Sequence, residues 1–385
     1  MAVARLRDRG GTIVLHSARY PELVVGARGP RRLTIRASAS ASVGRVVLVR
    51  ARAVTLSGLR MTPGAQDAGL KIVDSSEISI ERVVVTAFRT RRAANVMLRD
   101  SRDVTITRSR FSYCGEAGPC ILTGRSSGLR LLKNHFHDCR GCDFVRGNLG
   151  ENTLIRGNRF ERALIGRCGR DPDCGHQDLL EFHRGRGLVI ERNHFGVYQL
   201  PGGGQVSLFG PVRDVIIRNN VFLRSDPRVP RVVAHIGINL GGVHVPRRVV
   251  IAHNTILSGT RAPPPYASSK FASSVRLKAT LRYIPRAERP VLANNVMYLA
   301  ETRRVLCPNV RLSVGNVTKR GVACSAADAV GDPRLDRRGR PTAESSLTID
   351  RGSPRWATRY DVRGFRRDDK PDIGAYEYRA SGTTG

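Results

Sequence analysis

Apolar and polar residues alternate along most of this chain in short runs that close on polar bends. A period of two is strand spacing, with every second side chain on one face. One unit recurs: apolar–x–apolar–x–x–Asn–x–aromatic. It reads VTITRSRF from Val104, LRLLKNHF from Leu129, TLIRGNRF from Thr153, LVIERNHF from Leu188, VIIRNNVF from Val215, VVIAHNTI from Val249 and PVLANNVM from Pro290. Weaker copies begin at Val54 and Ile78. Successive starts lie 24, 26, 25, 24, 35, 27, 34 and 41 residues apart. A unit near 25 residues therefore repeats, and the longer spacings hold insertions. Helical spacing is absent, as is the LxxLxL of a leucine-rich repeat.

The first and third positions of the unit point inward, as in Val104/Ile106, Leu188/Ile190 and Val215/Ile217. The sixth is Asn134, Asn158, Asn193, Asn220, Asn254 and Asn295. One Asn per turn at a fixed offset predicts a ladder of side-chain amides bonding backbone or the next Asn. Phe111, Phe136, Phe160, Phe195 and Phe222 predict an interior aromatic stack.

A repeat near 25 residues with an Asn ladder resembles the right-handed parallel β-helix of the pectate-lyase-like superfamily, over roughly residues 11–318. The resemblance implies an all-β fold: a right-handed, single-stranded parallel β-helix, a solenoid of about ten coils with long loop insertions. Residues 1–325 are expected to form it, with 326–385 as a C-terminal extension packing on the last coils. Within that extension PDIGAYEY, from Pro371 to Tyr378, resembles the closing segment of bacterial exported proteins of this class, and SLTIDRG from Ser346 looks similar. Solenoids normally open on a cap. Strand-like residues begin here by Thr12, so the expectation is a start that lacks both cap and export signal.

The chain has 385 residues, 41% of them apolar, enough for a large core. No apolar run approaches the length of a membrane span. Formal net charge is +33, carried by 59 Arg and only six Lys. A GC-rich codon bias yields that skew; so does selection for a polyanion partner. No helix-turn-helix, zinc-finger or RNP-like string accompanies the charge, and 5% aromatic content is low, so specific nucleic-acid recognition is not expected. Anionic polysaccharide is the expected partner, bound by a monomer.

Eight cysteines stand at 114, 120, 139, 142, 168, 174, 307 and 324. Cys114 and Cys139 share one offset in consecutive units, and stacked strands lie about 4.8 Å apart, within disulfide reach. Cys120 and Cys142 sit near a neighbouring offset; Cys168 and Cys174 bracket one loop, and Cys307 and Cys324 flank the last coil. Connectivity stays open, and the first four thiols also offer a zinc alternative. An even count with near partners points to an oxidising, secreted or cell-surface location.

Candidate chemistry lies on the strand preceding each unit. Counting back from the unit start, eight and six before are mostly apolar: Leu70/Ile72, Val96/Leu98, Ile121/Thr123, Leu180/Phe182 and Ser207/Phe209. Seven and five before then point outward, which puts Arg146 and Asn148 above Glu181 and His183. Ten before stand Asp143, Asp178 and Gln205, with His176 just upstream. Arg146, His176, Asp178, Glu181 and His183 are thus the candidate catalytic set. Asp143, Asn148, Gln205, Arg276 and Lys278 are candidate substrate contacts. Stacked Asp143 and Asp178 repel, which raises a pKa or recruits a cation such as calcium. Against this, an Arg146–Glu181 pair is equally a surface ion pair and the Asp residues turn caps. His135, His194 and His253 are expected in solvent.

The resemblance implies activity on polysaccharide. Lyases and epimerases of the superfamily remove the proton α to a uronate carboxylate, which needs a base and a stabilised enolate. Glycoside hydrolases need paired carboxylates. A non-catalytic polysaccharide-binding or surface protein needs neither. The lyase or epimerase reading leads, and the other two remain open.

Overall fold

The computed structural model describes residues 10–26, 32–61, 68–86, 94–114, 118–141, 143–164, 178–196, 204–223, 234–239, 245–257, 273–277, 284–299 and 306–380. The fold is an all-β parallel solenoid of about nine turns with almost no helix, close to the ten expected. The chain divides into two compact units, Met1–Arg186 and Gly187–Gly385.

In the first unit each turn contributes one strand to each of three parallel sheets. The first sheet holds Ser42–Val49, Ala68–Val73, Ala94–Arg99, Ile121–Ser126 and Val145–Arg156. The second holds Leu33–Ala37, Arg52–Ser57, Ser76–Glu81, Arg102–Thr107 and Arg130–Leu132. The third holds Arg60–Met61, Val84–Thr86, Arg110–Ser112, His135–Arg140 and Arg159–Leu164. The apolar positions read from the repeat stack in register: Val54 faces Ile78, and Ile78 faces Val104. All are fully buried.

Two bends per turn shape the prism, and each uses a single left-handed residue. Between the first and second sheets these are Arg50, Asp74, Asp100 and Arg125. Between the second and third they are Arg82, Arg108 and Lys133, with Gly58 and Gly157 at the same place in flanking turns. The residue after each bend closes a polar ladder. At the second bend Ser109 N donates to Asn134 Oδ1 (2.9 Å), and Asn134 N and Nδ2 donate to Asn158 Oδ1 (2.9 and 3.0 Å). At the first bend a serine ladder does the same work: Ser75 N donates to Ser101 Oγ (3.1 Å) and Ser101 N to Ser126 Oγ (3.3 Å). Inside, Phe111, Phe136 and Phe160 stack with centroids 4.9 and 5.0 Å apart.

The second unit repeats the scheme. Gly204–Phe209, Ala234–Asn239 and Ser273–Leu277 pair in one sheet. Val212–Arg218, Arg247–Ala252, Val291–Ala293 and Leu312–Val314 pair in the next. Its ladder runs from Asn193 through Asn220, Asn254 and Asn295 to Asn316, each Oδ1 accepting from the preceding amide at 2.9–3.0 Å. Asp328 Oδ1 closes it, accepting from Asn316 N (3.0 Å) and Nδ2 (2.9 Å). Phe195 and Phe222 stack at 4.5 Å. One register differs from expectation. Val206 and Leu208, not Ser207 and Phe209, pair with Ile236 and Ile238 and are fully buried. The bend at Gly210–Pro211 takes one more residue than earlier bends, and a one-residue slip flips every side chain.

The C-terminal segment lies against this second unit. Gly374 N donates to Asn294 O (2.8 Å), Ser353 N to Asn294 Oδ1 (2.8 Å) and Ala375 N to Thr255 Oγ1 (2.9 Å). Ile373 packs on Val296 and Val317, and Ala375 and Tyr376 on Val221. Arg367 and Glu377 form a buried pair at 2.6 Å. His253, expected in solvent, is fully buried beneath this segment. Its Nε2 accepts from Asn294 Nδ2 (2.8 Å) and its Nδ1 meets Gly374 O (3.3 Å). Burial, then the Arg367 charge, holds its pKa well below the usual imidazole value.

Cys114 pairs with Cys120 and Cys307 with Cys324. The cross-coil Cys114–Cys139 pairing is therefore not formed. Cys139 is itself disulfide-bonded, with a partner outside the described residues. These sulfurs, the one group of three candidate ligands within 4.8 Å among the described residues, are committed to disulfides rather than zinc.

Candidate functional site

The first unit brings most of the expected cluster together. Phe144 N and Val145 N both donate to Leu179 O at 3.0 Å, which sets residue 143 beside residue 178. Asp178 N then donates to Asp143 Oδ1 at 2.8 Å. The other carboxylate oxygen of Asp143 meets Arg146 Nη1 at 3.2 Å. Asp143, Asp178 and Glu181 are all buried, at 3%, 1% and 9% exposure. Glu181 Oε1 meets His183 Nε2 at 2.6 Å, and the His183 side chain is 46% exposed.

Strand geometry produces this grouping. Arg146 stands opposite Leu122 and Asn148 opposite Gly124, on the outer face of the first sheet. Gly147 between them has φ +135°, and a Cβ there would lie 2.0 Å from Thr123 O. No other residue lets the strand pass so close, so Gly147 fixes where Arg146 emerges.

The electrostatics are unbalanced. The Asp143 pKa is raised well above the usual carboxylate value, first by burial and then by Glu181, with Arg146 opposing and Asp178 adding. Burial there disfavours the charged form of the carboxyl. The Glu181–His183 contact differs in kind: a carboxylate accepting from Nε2–H fixes the tautomer and places the basic lone pair on Nδ1. An exposed imidazole oriented by a carboxylate is a general-base arrangement.

The remaining predicted residues fall elsewhere. His176 and Lys278 lie outside the described residues, as does the side chain of Arg276, whose backbone pairs with Gly237. Gln205 belongs to the second unit, is fully buried, and donates to Gly196 O at 3.4 Å. For calcium, Asp143 and Asp178 adjoin as expected. Among the described residues, no three carboxylate or imidazole side chains bring ligand atoms within 4.8 Å of one another. Calcium takes about six to eight oxygens.

Sequence reasoning missed a second group, on the third sheet. His135 Nε2 meets Glu161 Oε2 (3.1 Å), His137 Nδ1 meets Asp138 Oδ2 (2.7 Å), and the two rings lie 4.5 Å apart. Burial, opposed by the Glu161 bond, lowers the His135 pKa. The His-x-His spacing, which puts both rings on one strand face, was the available signal.

No curated protein matches the chain. Among solved structures, the Streptococcus pneumoniae surface protein and adhesin PfbA is similar at 12% identity, with 86% of this chain and 94% of that chain covered and a TM-score of 0.52. Pectate lyase Pel9A aligns at 14% identity over 96% of this chain and 86% of that one, with a TM-score of 0.40. PL6 family alginate lyase AlyGC aligns at 12% over 94% of this chain and 58% of that one, at 0.43. At such identities the likeness is one of fold. A family model described as right handed beta helix region matches residues 45–262, more than half of the chain, and with the three stacked sheets this makes the protein a member of the right-handed β-helix family.

Proposed function

We propose that the protein acts on uronate-containing polysaccharide as a lyase or epimerase, with its reactive centre on the outer face of the first sheet. The observation that carries this reading is the exposed His183 imidazole held at 2.6 Å by Glu181, beside Arg146 held by Asp143. In this scheme Arg146 neutralises the uronate carboxylate, which acidifies the α-proton. His183 Nδ1 takes that proton. The freed electron pair forms the double bond to the neighbouring carbon as its glycosidic C–O bond breaks and the departing oxygen takes a proton from water; in an epimerase water instead reprotonates the α-carbon on the opposite face. Glu181 stabilises the imidazolium that results, and Asp178 and Asp143 set the positions of Arg146 and of the strand. His176 belongs to the proposed set through its place just before Asp178 in the chain. A cation between Asp143 and Asp178 would relieve their repulsion, and loss of rate in chelator is the mark of it. The disulfides favour an extracellular setting.

The test is incubation with pectate, alginate and glycosaminoglycans. Growth of the unsaturated-uronate ultraviolet chromophore supports elimination, and proton exchange into the polymer without cleavage supports epimerisation. New reducing ends without the chromophore would instead make the protein a hydrolase. Binding alone would make it a non-catalytic adhesin-like surface protein.

A further inference from the structure

The two bends of the first unit repeat the same left-handed turn but carry different charge. At the first, the stacked residues are Arg50, Asp74, Asp100 and Arg125, two of each sign. One opposite pair meets within the ladder, Arg125 Nε lying 2.9 Å from Asp100 Oδ1. At the second, the stacked residues are Arg82, Arg108 and Lys133, all cationic and all exposed. Backbone bonds stack them on consecutive turns: Arg82 N to Thr107 O, Arg108 N to Leu132 O and Lys133 N to Arg156 O. Two residues on, Arg60 and Arg110 are exposed on the two turns flanking Val84. Arg82 donates to Ser57 Oγ at 3.1 Å, and none of these five cations has a carboxylate in salt-bridge reach among the described residues.

Codon bias acts on both bends alike, so it does not explain the contrast. Like charges stacked on adjacent strands repel, and the bend does not need them. Gly58 and Gly157, at the two ends of the same ladder, take the left-handed turn without a side chain. Three successive turns thus replace the residue the turn favours with a cation.

We propose that this second bend is a binding track for a linear acidic polysaccharide, lying along the stack of turns and separate from the carboxylate cluster on the first sheet. One cation per turn, at the strand separation of about 4.8 Å, matches an extended polymer with one charge per sugar. A single-stranded nucleic acid also carries regular charge, but it gains affinity from aromatic platforms, and the five positions hold none. The inference does not depend on the proposed elimination, because it is read by binding rather than turnover.

The test compares two triple variants of the full chain. Arg82→Gly/Arg108→Gly/Lys133→Gly restores the residue found at both ends of the ladder. Arg50→Gly/Arg52→Gly/Arg125→Gly removes equal charge from the first bend and from the start of the strand that follows it, where Arg52 meets Glu77 at 2.9 Å. Binding of a size-defined oligogalacturonate is measured across a salt series, with thermal melts showing that both variants fold. The second-bend variant should bind about tenfold or more weaker, and its slope of log affinity against log salt should fall by roughly two. The first-bend variant should keep most of the affinity. Equal losses in both variants, no loss in either, or no binding by the wild type would overturn the proposal. Tighter binding of single-stranded DNA of matched charge would overturn the choice of polysaccharide.

Discussion

Charge is buried in both units, but on opposite terms. Beneath the C-terminal segment, Arg367 meets Glu377 at 2.6 Å and also donates to Gly374 O (2.7 Å), Asp372 O (3.2 Å) and Asn219 Oδ1 (3.2 Å). That group is densely bonded, with Nε its one buried nitrogen left without a hydrogen bond among the described residues, and it fastens a segment to the wall. On the first sheet Asp143, Asp178 and Glu181 are buried, the half-exposed Arg146 meets Asp143, and the Asp143 pKa is pushed well up. A buried charge tied to many atoms of its own chain stabilises; a perturbed carboxyl grouped with a half-exposed imidazole is a candidate for chemistry. The difference teaches which buried charge to read as structural.

The sharpest way to break this contrast is Arg367→Ala. It strands Glu377 and Asp372 in a buried setting and should cost about 3–5 kcal/mol in denaturant unfolding. A loss below about 1 kcal/mol would show the pair to be incidental. On the first sheet the large effect should instead be kinetic. His183→Ala and Arg146→Ala should lower turnover by about 10²–10⁴ while leaving the melting transition nearly unmoved; unchanged turnover would place the chemistry elsewhere.

Next comes the asparagine ladder of the second unit. Asn254→Ala leaves Asn220 N and Nδ2 without their shared acceptor and opens the bond to Ile217 O. A cost of about 1–3 kcal/mol is expected by thermal or chemical unfolding. A neutral result would mean that water takes the place of the amide.

The smallest effects are the two pH slopes, and their signs should be opposite. A raised carboxyl pKa favours the native state in acid, and that contribution is lost as pH rises through the folded value. Asp143→Asn should therefore be more stable than the wild type near neutral pH, with the gap closing toward about pH 4. His253 has a lowered pKa, so its contribution is present above the ordinary imidazole value and is lost as pH falls. Relative to His253→Gln, the wild type should lose stability below about pH 6.5. Melts across pH read both, and slopes of one sign would remove the distinction.

Much of the wall was legible before any coordinates. Asn134 and Phe136 recur because each turn meets the same bend and the same interior, so physical repetition writes itself into the chain. The Asp143, Arg146, Asp178, Glu181 and His183 grouping followed from the same counting, since alternation fixes facing and the repeat fixes neighbours. What escaped the counting depends on contacts across turns or on small insertions. The serine ladder at Ser75, Ser101 and Ser126 uses a residue common in any loop. His253 occupies a bend position that is exposed in turns nothing covers; its burial comes from residues 120 positions further on. Cys114 pairs with Cys120, six residues on with Cα atoms 5.0 Å apart, a pairing no repeat offset encodes. Gly210–Pro211 shifted one strand by a single residue, enough to exchange its two faces.

Asp328 has a consequence for solubility. Every amide before it both accepts and passes on a hydrogen bond, so an open end of the stack invites another turn, from this chain or from a neighbour. A carboxylate accepts from Asn316 and has no N–H to hand forward. The series therefore stops in a charged acceptor that repels the acceptor of any incoming copy, a safeguard against fibre growth at the very edge where parallel strands are most exposed to it.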